Sequence, residues 1–230
     1  MNPIADHLRH LLDQIAAAAQ RVGRQPDEVK LVAVSKTVDL ERVRQAIAAG
    51  VKILGENYLQ EAQTKIAALG QVVSWHFIGN LQTNKAAGAV AGFDLIHSVD
   101  RLKLAQALEK AAQKLNKVQD ILIEVNLAGE ASKSGVAAQD TKALIEAIAA
   151  LPHLRLRGLM TMPPWFNDPE AVRPYFKELR ELRERLNQSF PEIQLTELSM
   201  GMSGDFEAAI EEGATLVRIG TAIFGARPGA

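Results

Sequence analysis

Two kinds of hydrophobic pattern alternate along the 230 residues of this chain, and their order predicts its architecture. The first is helical. Ile4, Leu8, Leu11, Ile15, Ala18 and Val22 recur three and four apart, leaving Asp6, Arg9, Asp13 and Arg21 for the wet side. Asn2 before Pro3 is a good helix start, a cap residue and then proline at the first helical position. Gly23 and Pro26 end the segment. The second pattern is the apolar run Leu31-Val32-Ala33-Val34-Ser35-Lys36, which reads as a strand buried on both faces, as in parallel sheets.

From there the two patterns take turns. Strands are predicted over 31–36, 51–57, 74–79, 95–99, 120–126, 154–162, 195–200 and 215–224. Helices are predicted between them. One runs over 39–49, with Asp39 placed to cap it and Gly50 to stop it, and one contains Leu59, Ala62 and Ile66. An alanine-rich helix covers 83–91, and another, with Asp100 placed to cap it, runs through Leu102, Leu104 and Leu108. Helices over 139–151 and 206–212 complete the short ones. The longest has an inner stripe of Val172, Phe176, Leu179, Leu182 and Leu186, and Pro174 marks where its regular part begins or kinks.

Eight strands alternating with helices is the count of a (β/α)8 TIM barrel in the α/β class. An open doubly wound sheet also alternates, but eight repeats with no surplus strand favour closure. One outer helix is missing after the last strand, and the extra N-terminal helix is its natural replacement on the outer ring. The expectation is a single domain over 1–230, with nothing left over for a second.

Composition narrows the function classes. Hydrophobic residues make up 47% and charged ones 23%, ordinary for a soluble globular chain. A formal charge of −1 leaves no electrostatic footprint for nucleic acid or an anionic membrane. Cysteine is absent, which excludes disulfides and thiolate chemistry. No signal peptide or membrane span is visible, so the reading is cytoplasmic.

The candidate chemistry sits at the strand ends, where barrels of this type place their reactive face. Lys36 closes the first strand. Burial lowers an ammonium pKa and makes the amine a nucleophile toward a carbonyl, although a strand-end lysine can also simply return to solvent. After strand seven comes Ser199-Met200-Gly201-Met202-Ser203-Gly204-Asp205, and strand eight holds Arg218-Ile219-Gly220-Thr221. Glycines let the backbone approach a ligand, while amides and hydroxyls donate to phosphate oxygens. Either loop alone could be an ordinary turn; on adjacent strands they suggest a phosphate cradle. A phosphate cradle beside a rim lysine suggests a phosphorylated aldehyde held as a Schiff base, with pyridoxal 5′-phosphate the common example.

Several motifs carry a family likeness: Val34-Ser35-Lys36, Gly55-Glu56-Asn57, Trp75 through Lys85, Leu198 through Asp205, and Val217 through Gly225. With them the chain resembles the pyridoxal phosphate homeostasis protein family, from its first helix to its last strand. The resemblance implies a barrel similar to the N-terminal domain of bacterial alanine racemase, with Lys36 carrying the cofactor covalently. It implies that Ser199, Gly201, Gly220 and Thr221 hold the phosphate and that Asn57 lines the pocket. Met200 and Ser203 belong to the same loop and are included in the site.

Arg218, three residues before Thr221, can face the barrel mouth and the pyridine ring. A permanently charged donor there disfavours protonation of the ring nitrogen and mutes carbanion chemistry. Its alternative is a carboxylate partner such as Glu197. His76 and Glu124 are weaker candidates for acid–base work. His7 and His10 read as surface or packing residues, no histidine pair has metal spacing, and Ser132-Lys133-Ser134-Gly135 is only a polar loop.

Two functions from different classes follow. One is a non-catalytic holder that buffers or delivers pyridoxal phosphate to apoenzymes, with effects on amino-acid and keto-acid balance. The other is a pyridoxal phosphate-dependent racemase or decarboxylase. Racemisation needs a base on each face of the α-carbon. In the alanine racemase family these are the cofactor lysine and a tyrosine from the second domain of a partner subunit. This chain has only Tyr58 and Tyr175 and no second domain to offer. Tyr58 could reach the pocket; Tyr175 belongs to a surface helix. The holder, as a monomer, is the favoured reading. A Schiff-base aldolase acting on a sugar phosphate ranks lowest, because its extra acid or base could only be His76 or Glu124.

Overall fold

The computed structural model describes residues 3–130, 134–164, 166 and 168–225. The Asn2 cap and residues Ser132 and Lys133 of the polar loop therefore lie outside the described residues. Helix α1 (Pro3–Arg21) buries Ile4, Leu8, Leu11, Ile15 and Ala18, with Ala19 completing the stripe. Val22 does not join it. The helix stops at Arg21 before the left-handed turn at Gly23, and Val22 is exposed.

Most of the apolar runs form strands shorter than predicted; 95–99 forms one of the predicted length and 120–126 one a residue longer. The strands are β1 (Lys30–Val34), β2 (Ile53–Glu56), β3 (Ser74–Phe77) and β4 (Leu95–Val99). They continue with β5 (Gln119–Asn126), β6 (Leu154–Met160), β7 (Glu197–Ser199) and β8 (Leu216–Ile219). Their order is β4-β3-β2-β1-β8-β7-β6-β5, every pair is parallel, and a β4–β5 pairing closes the ring. That pairing decides between barrel and open sheet. One surplus strand does exist: Val136–Ala137 pairs with Val125 and Asn126 outside the ring.

The helices are α2 (Leu40–Ala48), α3 (Leu59–Leu69), α4 (Ala86–Gly92) and α5 (Leu102–Lys114). After them come α6 (Thr141–Ala149), α7 (Arg173–Ser189), α8 (Phe206–Glu211) and α9 (Thr221–Phe224). Asp39 caps α2, its carboxylate accepting from the Arg42 amide at 2.9 Å. Asp100 caps nothing. Arg101 takes the N-cap position of α5, and its guanidinium pairs with the Asp100 carboxylate. Pro174 falls in the first turn of α7, where no N–H is needed, so the helix starts there without a kink.

The eighth strand is shorter than its apolar run predicts. It ends at Ile219, and Thr221–Phe224 coils into the one-turn helix α9. Helix α1 packs against α2, α8 and α9, and fills the place in the outer ring that α9 is too short to cover. The His7 imidazole donates to the Ile223 carbonyl at 3.1 Å, tying α1 to α9.

The strands separate two buried regions. Between strands and helices lies the larger, apolar one, including Trp75, Phe77, Phe93, Leu104, Leu108 and Phe176. Inside the ring is a smaller set, Val32, Ile78, Leu95, Leu122, Met160 and Leu216, contributed by strands and their ends and by no helix. Among the described residues no helix is long and apolar enough to cross a membrane.

Candidate functional site

A cavity of about 390 Å³ opens at the C-terminal ends of the strands. Lys36, Asn57, Ser203, Arg218, Gly220 and Thr221 all line it, although their elements are far apart in sequence. Val34, Ile78, Met162, Phe166 and Phe224 supply apolar wall, and Met202, Gly204 and Asp205 complete the loop after β7. Ser199, Met200 and Gly201 stand apart from this set. Ser199 and Met200 are fully buried, and Gly201 turns the backbone inside the protein.

Gly201 has φ +91, and a Cβ on it would lie 2.6 Å from the Ala209 methyl. Only glycine makes that turn and still lets α8 pack beneath the loop. The loop is then fixed by Asp205, whose carboxylate accepts from the Met202 amide at 2.6 Å. Burial pushes the Asp205 carboxyl up, against that amide bond and the field of Arg218. At Gly220 a Cβ would come within 3.1 Å of the Val34 carbonyl, so strand eight approaches β1 closely there.

Lys36 follows β1 on a gripped piece of backbone. Ser35 donates its amide to the Gly55 carbonyl at 3.0 Å and its hydroxyl to Glu56 Oε1 at 2.6 Å. Its carbonyl accepts from Lys65 Nζ at 2.5 Å. On the other side Thr37 has φ +61, a left-handed conformation that is an outlier for a β-branched residue. Such a conformation costs on the order of 1–3 kcal/mol and persists only where neighbours over-determine it. Here the Thr37 amide donates to Glu61 Oε1 at 2.6 Å.

Behind the cavity the inward faces of the strands carry polar groups. Period two sets His76 beside Ile78, His97 beside Leu95, and Arg218 beside Leu216 on the interior face. Arg218 is 5% exposed and donates to Ser199 Oγ at 2.7 Å and to the Thr161 carbonyl at 3.0 Å. Ser199 Oγ lies 2.9 Å from His97 Nδ1, and His97 Nε2 lies 3.0 Å from His76 Nδ1. A guanidinium only donates, so the serine accepts from it. Among the described residues His97 Nδ1 is the one acceptor the serine's own proton can reach, and the tautomer that satisfies that proton has the hydroxyl donating to Nδ1. His97 then carries its proton on Nε2 and donates to His76 Nδ1. Burial holds His97 well below the ordinary histidine range and brings His76 down to about 4, so both rings are neutral. Burial also lowers Arg218 to about 10, with Glu124 and Asp205 opposing, and it stays charged at neutral pH.

Glu197 is not the partner of Arg218. Its carboxylate takes Lys30 Nζ at 2.7 Å and the Thr215 hydroxyl at 2.7 Å. Glu124 is buried and pushed up to about 7 by desolvation, with Asp100 adding to the shift and Arg218 opposing it. Tyr58 is exposed at the start of α3, and Tyr175 is half-buried, stacked on Phe166 with centroids 5.9 Å apart. Neither tyrosine, nor His76, nor Glu124 is among the cavity-lining residues. Among the described residues no group of histidine and carboxylate side chains could hold a metal ion.

His97 and Lys65 escape a reading of the sequence by motif. Alternation along 95–99 does put His97 on the face of Leu95, which is the available signal. Nothing local marks Lys65 as buried.

The arrangement suits an anionic, flat, carbonyl-bearing ligand: hydroxyls and glycine amides at one end, an amine at Lys36, apolar wall, and a cation at Arg218. Among the described residues Asn57 Oδ1, buried on the cavity wall, has no hydrogen-bond partner, an acceptor position that a bound group with a donor would satisfy.

The family model for the alanine racemase N-terminal domain matches residues 7–228. A pyridoxal phosphate homeostasis protein of Aquifex aeolicus is 49% identical, covering 96% of this chain and 97% of that protein. Another, from Pseudomonas aeruginosa, is also 49% identical and covers 99% and 97% respectively. PipY of Synechococcus elongatus, solved with PLP bound, superposes with a TM-score of 0.85 at 38% identity, covering 96% of this chain and 100% of that one. An alanine racemase of Clostridium difficile shares the fold, with a TM-score of 0.71 at 17% identity; 97% of this chain aligns with 58% of the racemase.

Proposed function

Since this chain belongs to the pyridoxal phosphate homeostasis protein family, on the alanine racemase N-terminal fold, we propose that its cavity holds pyridoxal 5′-phosphate and that the protein buffers and delivers this cofactor. The observation that carries the reading is the meeting of Lys36, Arg218 and the two glycine–hydroxyl loops around one cavity.

Ser203, Gly204, Gly220 and Thr221 would hold the phosphate, with their amides and hydroxyls as donors. Ser199 would act one step back, by accepting from Arg218 and so aiming it. Gly201 and Met200 would serve the loop's packing. When bound, the cofactor would supply an aldehyde carbon, the group with which the Lys36 amine could condense. Arg218 presents N–H donors, so a ring nitrogen facing it keeps its lone pair as an acceptor. That geometry fits storage better than carbanion chemistry. It also matters that no tyrosine among the described residues lines the cavity, which leaves the second face of a bound substrate without that base. The reading is of a monomer that acts in the cytoplasm, with apoenzymes as the recipients of the cofactor.

The test is incorporation of pyridoxal 5′-phosphate, trapped with borohydride and located by peptide mass spectrometry. The expected result is label on Lys36, none in Lys36→Ala, and transfer of untrapped cofactor to an apoenzyme. Exchange of an amino-acid α-proton with heavy water, or loss of carbon dioxide, would make the protein an enzyme instead. A chain that takes up no cofactor at all would return the aldolase reading to the front.

A further inference from the structure

Next to the cavity, and outside it, lies a buried ionic cluster that the proposed function does not use. Lys65 Nζ on α3 is within 2.8 Å of Glu56 Oε1, 2.7 Å of Glu61 Oε1 and 2.5 Å of the Ser35 carbonyl. Lys65 is 6% exposed and Glu56 is fully buried. Glu56 also accepts the Ser35 hydroxyl, and Glu61 also accepts the Thr37 amide. The cluster therefore touches the residue before Lys36 and the residue after it.

An ion pair buried this deeply adds little net stability over an apolar residue of the same size. Its useful product is geometry. Three oxygens fix the position of one ammonium, which in turn sets the Ser35 carbonyl, and Glu61 holds Thr37 in a conformation its side chain disfavours. A lysine that must reach one carbon of a ligand already anchored elsewhere depends on such placement.

We propose that Lys65, with Glu56 and Glu61, is a positioning group that sets the backbone around Lys36 so that its amine meets the aldehyde of a bound phosphorylated ligand. The proposal rests on the pyridoxal phosphate reading of the cavity and adds a division of labour to it. The loops after β7 and β8 anchor the ligand; the Lys65 cluster governs covalent capture.

The test compares two ligands on the full chain. Pyridoxal 5′-phosphate carries the aldehyde, whereas pyridoxine 5′-phosphate has a hydroxymethyl group there and cannot condense with an amine. Lys65→Met is expected to lower borohydride-trapped label on Lys36 about ten-fold or more, while pyridoxine 5′-phosphate binding stays within about two-fold. Lys65→Arg, which keeps charge and donors, is expected to recover part of the loss. Glu61→Ala releases Thr37 without stranding a deeply buried charge, should lower labelling by a smaller factor, and carries the test if Lys65→Met does not fold. Equal loss of both ligands, or no loss of labelling in Glu61→Ala and any folded Lys65 variant, overturns the proposal. A wild-type chain that binds neither ligand overturns the cavity reading itself and is thereby distinguished from failure of the Lys65 role.

Discussion

The two sides of the barrel wall are both dehydrated, yet they are filled in opposite ways. Outward, between strands and helices, buried side chains such as Phe77, Leu108 and Phe176 interlock with no polar atom to satisfy. Inward, the apolar set shares its space with His76, His97, Glu124, Ser199 and Arg218. The outer side gains from area removed from water and from close packing, and tolerates any polar group badly. The inner side spends some of that gain on hydrogen bonds that aim one guanidinium at the cavity. Fold and function are thus divided across a single layer of strands, with the Lys65–Glu56–Glu61 cluster as the polar exception on the helix side.

The sharpest way to test the division is to damage the outer side and watch the inner one. Phe176→Ala is expected to cost roughly 3–5 kcal/mol in chemical unfolding, the range for an aromatic removed from a packed core. Labelling of Lys36 per folded molecule should not change; if it falls with stability, the two regions are one unit.

A titration probes the inner side. Folded Glu124 keeps its proton to about pH 7, while the unfolded carboxyl releases it near 4.5. The fold binds the extra proton between those values, so its stability falls as pH rises through that window, by roughly 3 kcal/mol, and then levels off. Glu124→Gln does not titrate, so its advantage over the wild type should grow from pH 4.5 to pH 7. Parallel stability curves would place Glu124 in a wetter setting than the interior of the barrel.

The smallest stability effect is expected at His97. His97→Leu keeps most of the volume but leaves the Ser199 hydroxyl and His76 Nδ1 without their partner, a loss of about 1–2 kcal/mol. Its sharper signature is optical: the absorbance of bound pyridoxal 5′-phosphate should shift as Arg218 loosens, and an unchanged spectrum would separate the histidines from the site.

The same division explains what the sequence could disclose. All eight barrel strands were legible because apolar runs are continuous where both faces are buried, and the Asp39 cap and Pro174 start were legible because their chemistry is local. The ends were not. The apolar residues Ile223 and Phe224 extend the pattern of strand eight, yet the chain coils after Gly220. Asp100 has a cap's residue type, but the guanidinium of the next residue takes its carboxylate. Within the cavity, Lys36, Arg218, Gly220 and Thr221 could be singled out from strand-end position. Lys65 could not, since a lysine on an amphipathic helix gives no local sign that two carboxylates await it indoors. His97 needed its partners Ser199 and His76 in place before it had any meaning.

The donor-only character of Arg218 has a consequence for how this protein can vary over generations. The guanidinium never accepts and the buried Ser199 proton must find an acceptor at His97 Nδ1, and those two demands together run the bonds from Ser199 through His97 to His76 in one direction. An amide or hydroxyl substituted anywhere along that line inherits a fixed demand, donor on one side and acceptor on the other. Single replacements that reverse the demand strand a buried atom, whereas matched pairs do not. Positions 76, 97, 199 and 218 are therefore expected to change in concert, as one inherited word of four letters.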